Sequence, residues 1–294
     1  MSYFFRTLRS ITSKTSAIMK KVLVPIDFSE QSENALITAA NFAKKFKFEL
    51  VVLHMLELSN AIATNTVTTQ ETIFYLKLIE KKLNEFLDKK YLKDIKITPI
   101  IKHYKIFSEL NDLCKEENIN LVFMGSQGAT GFKELFIGSN AQKVIRNSDI
   151  PVLVVKNNPM ENFENAVFAC DFSKDSIEAY KQARKFAEKI NCKMKMIYVN
   201  TPSKSFKSSS EMREIVKNFF EKAETKADYI KDVQYVSDYT IEAGIINFAQ
   251  NHNADIIAMA THGRKGLLHF FDGSITEDVA NHSPVPVLSF KIGS

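Results

Sequence analysis

The chain has 294 residues, 45% of them hydrophobic and 25% charged, with 39 basic against 34 acidic side chains. That length accommodates two ordinary domains with their own cores, and no apolar run reaches the roughly 18 residues of a membrane-spanning helix. The basic excess is small and has no interleaved aromatics, so no nucleic-acid partner is expected; Cys114, Cys170 and Cys192 show no CxxC spacing and cannot all pair, which fits a reducing cytoplasm.

Residues 1–18 are basic and rich in Ser and Thr, without the apolar core of a secretory signal, and are expected to form a disordered extension. From Lys21 the pattern alternates. Strand-like runs are expected at Val22–Ile26, Leu50–Leu56, Ile95–Ile101, Leu121–Met124 and Val152–Val155. Helical periodicity falls between them, near Ser32–Phe46, near Glu71–Lys89, from about Phe107 and from Ser139. Five strands separated by four helices imply right-handed crossovers and a parallel sheet covered on both faces, an α/β doubly wound domain.

The pattern then repeats. KVLVPIDFSEQSENALITAANFAKKF from Lys21 matches NAVFACDFSKDSIEAYKQARKFAEKI from Asn165 at an offset of 144, so Asp27-Phe28-Ser29 recurs as Asp171-Phe172-Ser173. The apolar stripe Leu36, Ala39, Phe42, Ala43, Phe46 recurs as Tyr180, Ala183, Phe186, Ala187, Ile190. Farther on, MGSQGATGFKELFIGSN from Met124 aligns with MATHGRKGLLHFFDGSI from Met259 at an offset of 135, as Pro151-Val152-Leu153 does with Pro286-Val287-Leu288. Two tandem domains are therefore expected, at 19–156 and 164–292, joined by a turn-rich linker at 157–163.

In open parallel sheets, ligands bind beyond the carboxyl ends of the strands, where the strand order reverses. Asp27 follows the first strand and a glycine cluster follows the fourth. A Gly-rich turn entering a helix lets a phosphate approach free backbone amides. Ser139 has two open readings, a capping box with Gln142 (as Ser274 would form with Glu277) or a contact beside a phosphate. Asp27 likewise either ends its strand and caps the next helix or accepts hydrogen bonds from a ribose or base. His54 reads as a wall residue of the second strand, and His262 falls inside the second glycine loop. His269 and His282 lack ligand-like spacing, so no metal site is expected. GxxxxGK[ST], HExxH, GxSxG and kinase signatures are absent. The Ser/Thr-rich loops Ser59–Gln70 and Thr201–Ser210 read as mobile connections, either solvated or closing over a ligand.

VPIDFSE, the run ending in MGSQG, and Gly125-x2-Gly128-x9-Gly138-Ser139 together resemble the universal stress protein family in its tandem form, over about residues 19 to 291. The resemblance implies open five-stranded sheets of order 3-2-1-4-5 and, in the nucleotide-binding branch, ATP or AMP in the crevice, with Mg²⁺ accompanying ATP. Pro25, Ile26 and Asp27 would then contact adenine, and the ribose would lie near Gly125. Gly128, Gly138, Ser139 and Asn140 would surround the phosphates, with Met124 and Gln127 lining the same loop.

In the second copy Cys170 and Asp171 take the adenine end, with His262, Gly263, Gly273, Ser274, Ile275 and Thr276 in the loop and the helix start. Ala260 stands where the first glycine belongs. Its methyl is expected to narrow the ribose and phosphate approach if the backbone there needs a positive φ. The family's last strands often pair, so Val152–Val155 is expected to meet Val287–Phe290 within the chain, with a homodimer as a further level of assembly. Pro151, Pro284 and Pro286 would suit edge strands. The expected function is a nucleotide-binding stress sensor or regulator with at most slow ATP hydrolysis. The alternatives are a weak Mg²⁺-dependent nucleotide hydrolase and an interaction protein with one or both pockets empty.

Overall fold

The computed structural model describes residues 20–56, 69–102, 108–126, 138–223, 227–261 and 273–292. The first repeat runs β1 (Lys21–Ile26), α1 (Glu30–Phe46), β2 (Glu49–Met55), α2 (Thr69–Leu87), β3 (Ile97–Lys102), α3 (Ser108–Glu116), β4 (Leu121–Gly125), α4 (Ser139–Asn147) and β5 (Val152–Val155). The second runs β6 (Asn165–Ala169), α5 (Ser176–Lys189), β7 (Lys193–Asn200), α6 (Ser209–Lys222), β8 (Val233–Ser237), α7 (Ile241–Asn251), β9 (Ile256–Thr261), α8 (Gly273–His282) and β10 (Val287–Lys291). Each repeat is the doubly wound unit read from the sequence, with strand order β3-β2-β1-β4-β5 and its equivalent β8-β7-β6-β9-β10.

The central strands are buried on both faces, which is why they read as continuous apolar runs. Within β1, Val22, Val24 and Ile26 enter one core layer and Leu23 the other, as period-two alternation requires. The α1 stripe Leu36, Ala39, Phe42 and Ala43 is buried against the first layer. The helix ends at Lys47, which adopts φ 60° without the aid of a glycine.

β5 and β10 lie side by side and antiparallel, joining the two sheets into one of ten strands. Leu153 faces Leu288, Val154 faces Val287, and Val152 faces Ser289. Because Leu153 and Leu288 are equivalent positions of the repeat, a pseudo-twofold axis passes between them. Pro151 and Pro286 therefore do not mark edges of the whole sheet. Each precedes an interior strand and uses only its carbonyl, which accepts from Val122 N–H at 2.9 Å and Ile257 N–H at 3.0 Å respectively, so the missing N–H costs no ladder bond.

The connection between the repeats is docked on α1. Asn34 Nδ2 donates to the Asn157 carbonyl at 2.7 Å, the Met160 N–H donates to Thr38 Oγ1 at 3.0 Å, and Asn41 Nδ2 donates to the Met160 carbonyl at 3.1 Å. Phe163 is fully buried, its ring 5.1 Å from that of Phe42.

Candidate functional site

The ladder between β1 and β4 stops at Leu23 and Val122, short of both strand ends, and a crevice opens between Ile26 and Gly125. One wall holds Pro25, Ile26 and Asp27. The other holds Met124, Gly125 and the start of α4 with Gly138, Ser139 and Asn140. Residues separated by more than 110 positions thus share one cavity of about 100 Å³. Ser32, Met55, Ser126 and Ala141 complete it, and only proximity to the expected residues could have pointed to them. Gln127, Gly128 and Gly131 lie outside the described residues.

Asp27 braces the turn out of β1. Its Oδ1 accepts from the Ser29 N–H at 3.0 Å and from Ser29 Oγ at 2.5 Å. Ser29, rather than Asp27, caps α1 by accepting the Ser32 N–H at 3.2 Å. Between them Phe28 has φ 65°, and its equivalent Phe172 has φ 53°. A bulky residue in the left-handed region is held there against its preference. The Phe28 ring packs on His54 with centroids 4.4 Å apart, and Lys82 Nζ sits 4.3 Å from its centre. His54 Nδ1–H donates to the Ile26 carbonyl at 3.0 Å, and burial holds the imidazole pKa below its ordinary value. His54 is the wall residue its strand position suggested.

At the opposite wall the capping-box reading of Ser139 fails, because the cap position is Gly138, which has no side chain to offer. The Gly138 N–H donates to the Ser126 carbonyl at 2.7 Å, closing the neck of the glycine loop. The first helical bond of α4 is Gln142 N–H to the Gly138 carbonyl at 3.2 Å, so the amides of Ser139, Asn140 and Ala141 come before any intrahelical partner. With no cap among the described residues, this helix start presents donors and partial positive charge to the crevice.

Gly125 does not need a positive φ. A Cβ on it would come within 2.6 Å of the Gln31 carbonyl oxygen, so the glycine is there for close approach of β4 to α1. In the second copy Ala260 carries that methyl, and α5 begins at Ser176, two residues later than the repeat would place it. Ala260 is fully buried in the core layer that contains Ala183 and Tyr180. The expectation that it narrows the ligand approach is therefore corrected: the methyl faces the core, and the helix start gives way.

The second crevice is built differently. Asp171 Oδ1 accepts from the Ser173 N–H at 2.9 Å and Ser176 Oγ at 2.6 Å. Cys170 and Asp171 line a cavity of about 320 Å³ together with Tyr198, Asn200 and Lys207. Burial pushes the Cys170 thiol far up, which makes it a wall and not a nucleophile. The loop after β7, expected to be mobile, is pinned by Asn200, whose Nδ2 donates to the Lys207 carbonyl at 2.8 Å while its Oδ1 accepts the Lys207 N–H at 3.1 Å. Among the described residues, Ala260, Ile275 and Thr276 do not line this cavity. His262 and Gly263, His269, residues 57–68 and the Ser274 side chain lie outside the described residues.

The Thr261 and Thr276 hydroxyls are buried without a hydrogen-bond partner among the described residues. Glu277 is turned toward the first repeat. Its carboxylate takes two hydrogen bonds from Arg146 of the first repeat, Nε to Oε1 at 2.7 Å and Nη2 to Oε2 at 2.6 Å. Lys156 and its repeat equivalent Lys291 each reach across the seam, Lys156 to the Ala280 and Asn281 carbonyls and Lys291 to Asp149 Oδ1 at 2.5 Å. Burial lowers the Lys156 pKa to about 8.

A model of the universal stress protein family matches residues 19–156 and 162–291, one match per repeat. The chain belongs to the universal stress protein family. Universal stress protein MJ0577 of Methanocaldococcus jannaschii is 32% identical over 157 residues, covering 48% of this chain and 97% of that one. Universal stress protein Slr1230 of Synechocystis is 23% identical over 294 residues, 93% of this chain and 100% of its own. A solved universal stress protein from Archaeoglobus fulgidus aligns with a TM-score of 0.67 at 23% identity, over 94% of this chain and 97% of that one, a likeness of fold. Among the described residues, no helix of this universal stress protein is long and apolar enough to cross a membrane.

Proposed function

We propose that the protein binds an adenine nucleotide, ATP or AMP, in the crevice of its first domain and acts as a sensor or regulator in stress response. The observation that carries this reading is the bare start of α4 at Gly138, facing Asp27 across the gap between β1 and β4. In this reading Pro25, Ile26 and Asp27 hold the base and Gly125 lies at the ribose. Gly128, Gly138, Ser139 and Asn140 hold the phosphates beside Met124 and Gln127, with Mg²⁺ accompanying ATP.

The second domain is a weaker site of the same kind. Cys170 and Asp171 form its base end, and Gly263, Gly273, Ser274, Ile275 and Thr276 its phosphate end, with His262 in the loop. Ala260 supports the floor from the core side. The hydroxyls of Thr261 and Thr276, without a partner among the described residues, favour a ligand or water there, because buried polar atoms are seldom left unbonded. Binding, not turnover, is the purpose: Asp27 is committed to its own turn, and His54 is tied to a backbone carbonyl. Unpaired cysteines suit a cytoplasmic location.

Native mass spectrometry of protein purified without added nucleotide tests the reading. Retained adenine nucleotide that disappears in Gly138→Asp supports it. No retained ligand and no binding of added ATP or AMP would leave the interaction protein with empty pockets as the better account.

A further inference from the structure

α4 and α8, the helices that follow the two glycine loops, pack against each other across the pseudo-twofold axis. The first domain grips α8 at two points. Arg146 takes the Glu277 carboxylate in two hydrogen bonds, and Lys156 donates to the Ala280 and Asn281 carbonyls near the end of the helix. By the repeat, Glu277 corresponds to Gln142 and Arg146 to Asn281, so an ion pair of this kind can form in one direction only.

The position of the charge gives the pair its consequence. Glu277 lies four residues after Gly273, the first residue of α8, which is about 6 Å along the axis at about 1.5 Å per residue. A carboxylate that close to a helix start opposes an anion there, and its field is poorly screened because the Glu277 side chain is only 8% exposed. The first domain has the neutral Gln142 at this position and meets no such obstacle. Next to Glu277, the Thr276 hydroxyl is buried without a partner among the described residues, as is that of Thr261 at the end of β9, a condition that a bound polar group would relieve.

We propose that Arg146, a residue of the first domain, is a positioning residue of the second nucleotide site: it neutralises Glu277 and holds it against α4, so that the start of α8 can accept phosphates. The inference rests on the second-domain site proposed above and adds a dependence of that site on the first domain. Arg146 acts through Glu277. Without it the carboxylate stays buried one turn from the helix start with its charge uncancelled, while Lys156 still holds the far end of α8.

Titration calorimetry on the full chain in a Gly138→Asp background, which closes the first site, reads the second site alone. Arg146→Met should weaken ATP binding about tenfold and leave adenosine, which carries no phosphate, unchanged. Adding Glu277→Gln, the first domain's own residue at this position, should restore the ATP affinity. Glu277→Gln alone leaves the Arg146 charge uncancelled and should tighten ATP severalfold, a result that does not depend on the Arg146 variant folding. Equal weakening of ATP and adenosine by Arg146→Met would make the pair structural only and overturns the proposal. So does ATP affinity indifferent to Arg146→Met or to Glu277→Gln. No ATP bound in the Gly138→Asp background removes the second site itself, and this proposal with it.

Discussion

Arg146, in the last turn of α4, holds Glu277, near the start of α8, through two parallel hydrogen bonds of 2.7 and 2.6 Å. The two helices that open on the two glycine loops are thereby joined directly across the pseudo-twofold axis. The joint is not symmetric, since the equivalent positions hold Asn281 and Gln142. Glu277 is buried while Arg146 is partly exposed, so the carboxylate has most to lose if the pair is broken.

Arg146→Ala is expected to cost about 2 kcal/mol, because it strands a buried carboxylate. Arg146→Met with Glu277→Met, which removes both charges, should return to within about 1 kcal/mol of the parent. Urea unfolding of the three proteins checks this. Equal losses in the single and double variants would contradict the assignment.

Gly125→Ala should destabilise by about 1–3 kcal/mol, because the new Cβ meets backbone and not a flexible side chain. The reverse change, Ala260→Gly, removes a buried methyl and loosens a strand, at about 1 kcal/mol. Denaturant midpoints separate the two. If Gly125→Ala were neutral, the glycine would not be there for the approach of α1.

These positions show what sequence could reveal. The repeat and the strand and helix succession were legible, because period and spacing are local signals. Capping was legible only in part. The pattern S-x-x-E forms a true capping box at Ser208 and Glu211, yet at Ser274 the Glu277 side chain goes to Arg146, 131 positions away. At Ser139 the chain enters the helix one residue earlier, through Gly138. The positive φ of Phe28 and Phe172 had no local sign either, since it is imposed by packing, on His54 for Phe28 and against Tyr198 for Phe172. Prolines that looked like edge markers turned interior once β5 met β10.

His54 should make stability depend on acid. Its folded pKa lies below the ordinary 6.5, so as pH falls below about 6.5 the unfolded chain takes up the proton first and stability is lost until the folded pKa is passed. His54→Tyr, which borrows the residue at the equivalent position 198, should lack this part of the slope. Thermal midpoints of both proteins between about pH 7 and 5 give the comparison. Parallel curves would remove His54 from the account.

Thr276→Val deletes a buried hydroxyl that has no partner among the described residues. The ligand-free protein should be unchanged or up to about 1 kcal/mol more stable, while any nucleotide bound to the second domain should be held more weakly. Thermal shift with and without ATP reads both effects. A variant destabilised by more than about 1 kcal/mol without ligand would mean that the hydroxyl already has a structural partner.

Titration calorimetry of ATP into the parent and Gly138→Asp tests whether an anion sits at the start of α4. At φ −60° the site accepts an aspartate, which caps the helix and places a negative charge where the phosphates belong. Saturable ATP binding is expected in the parent and loss of the first-domain site in the variant, with an unfolding midpoint equal to or above the parent's. Undiminished ATP binding by a folded Gly138→Asp protein would contradict this assignment.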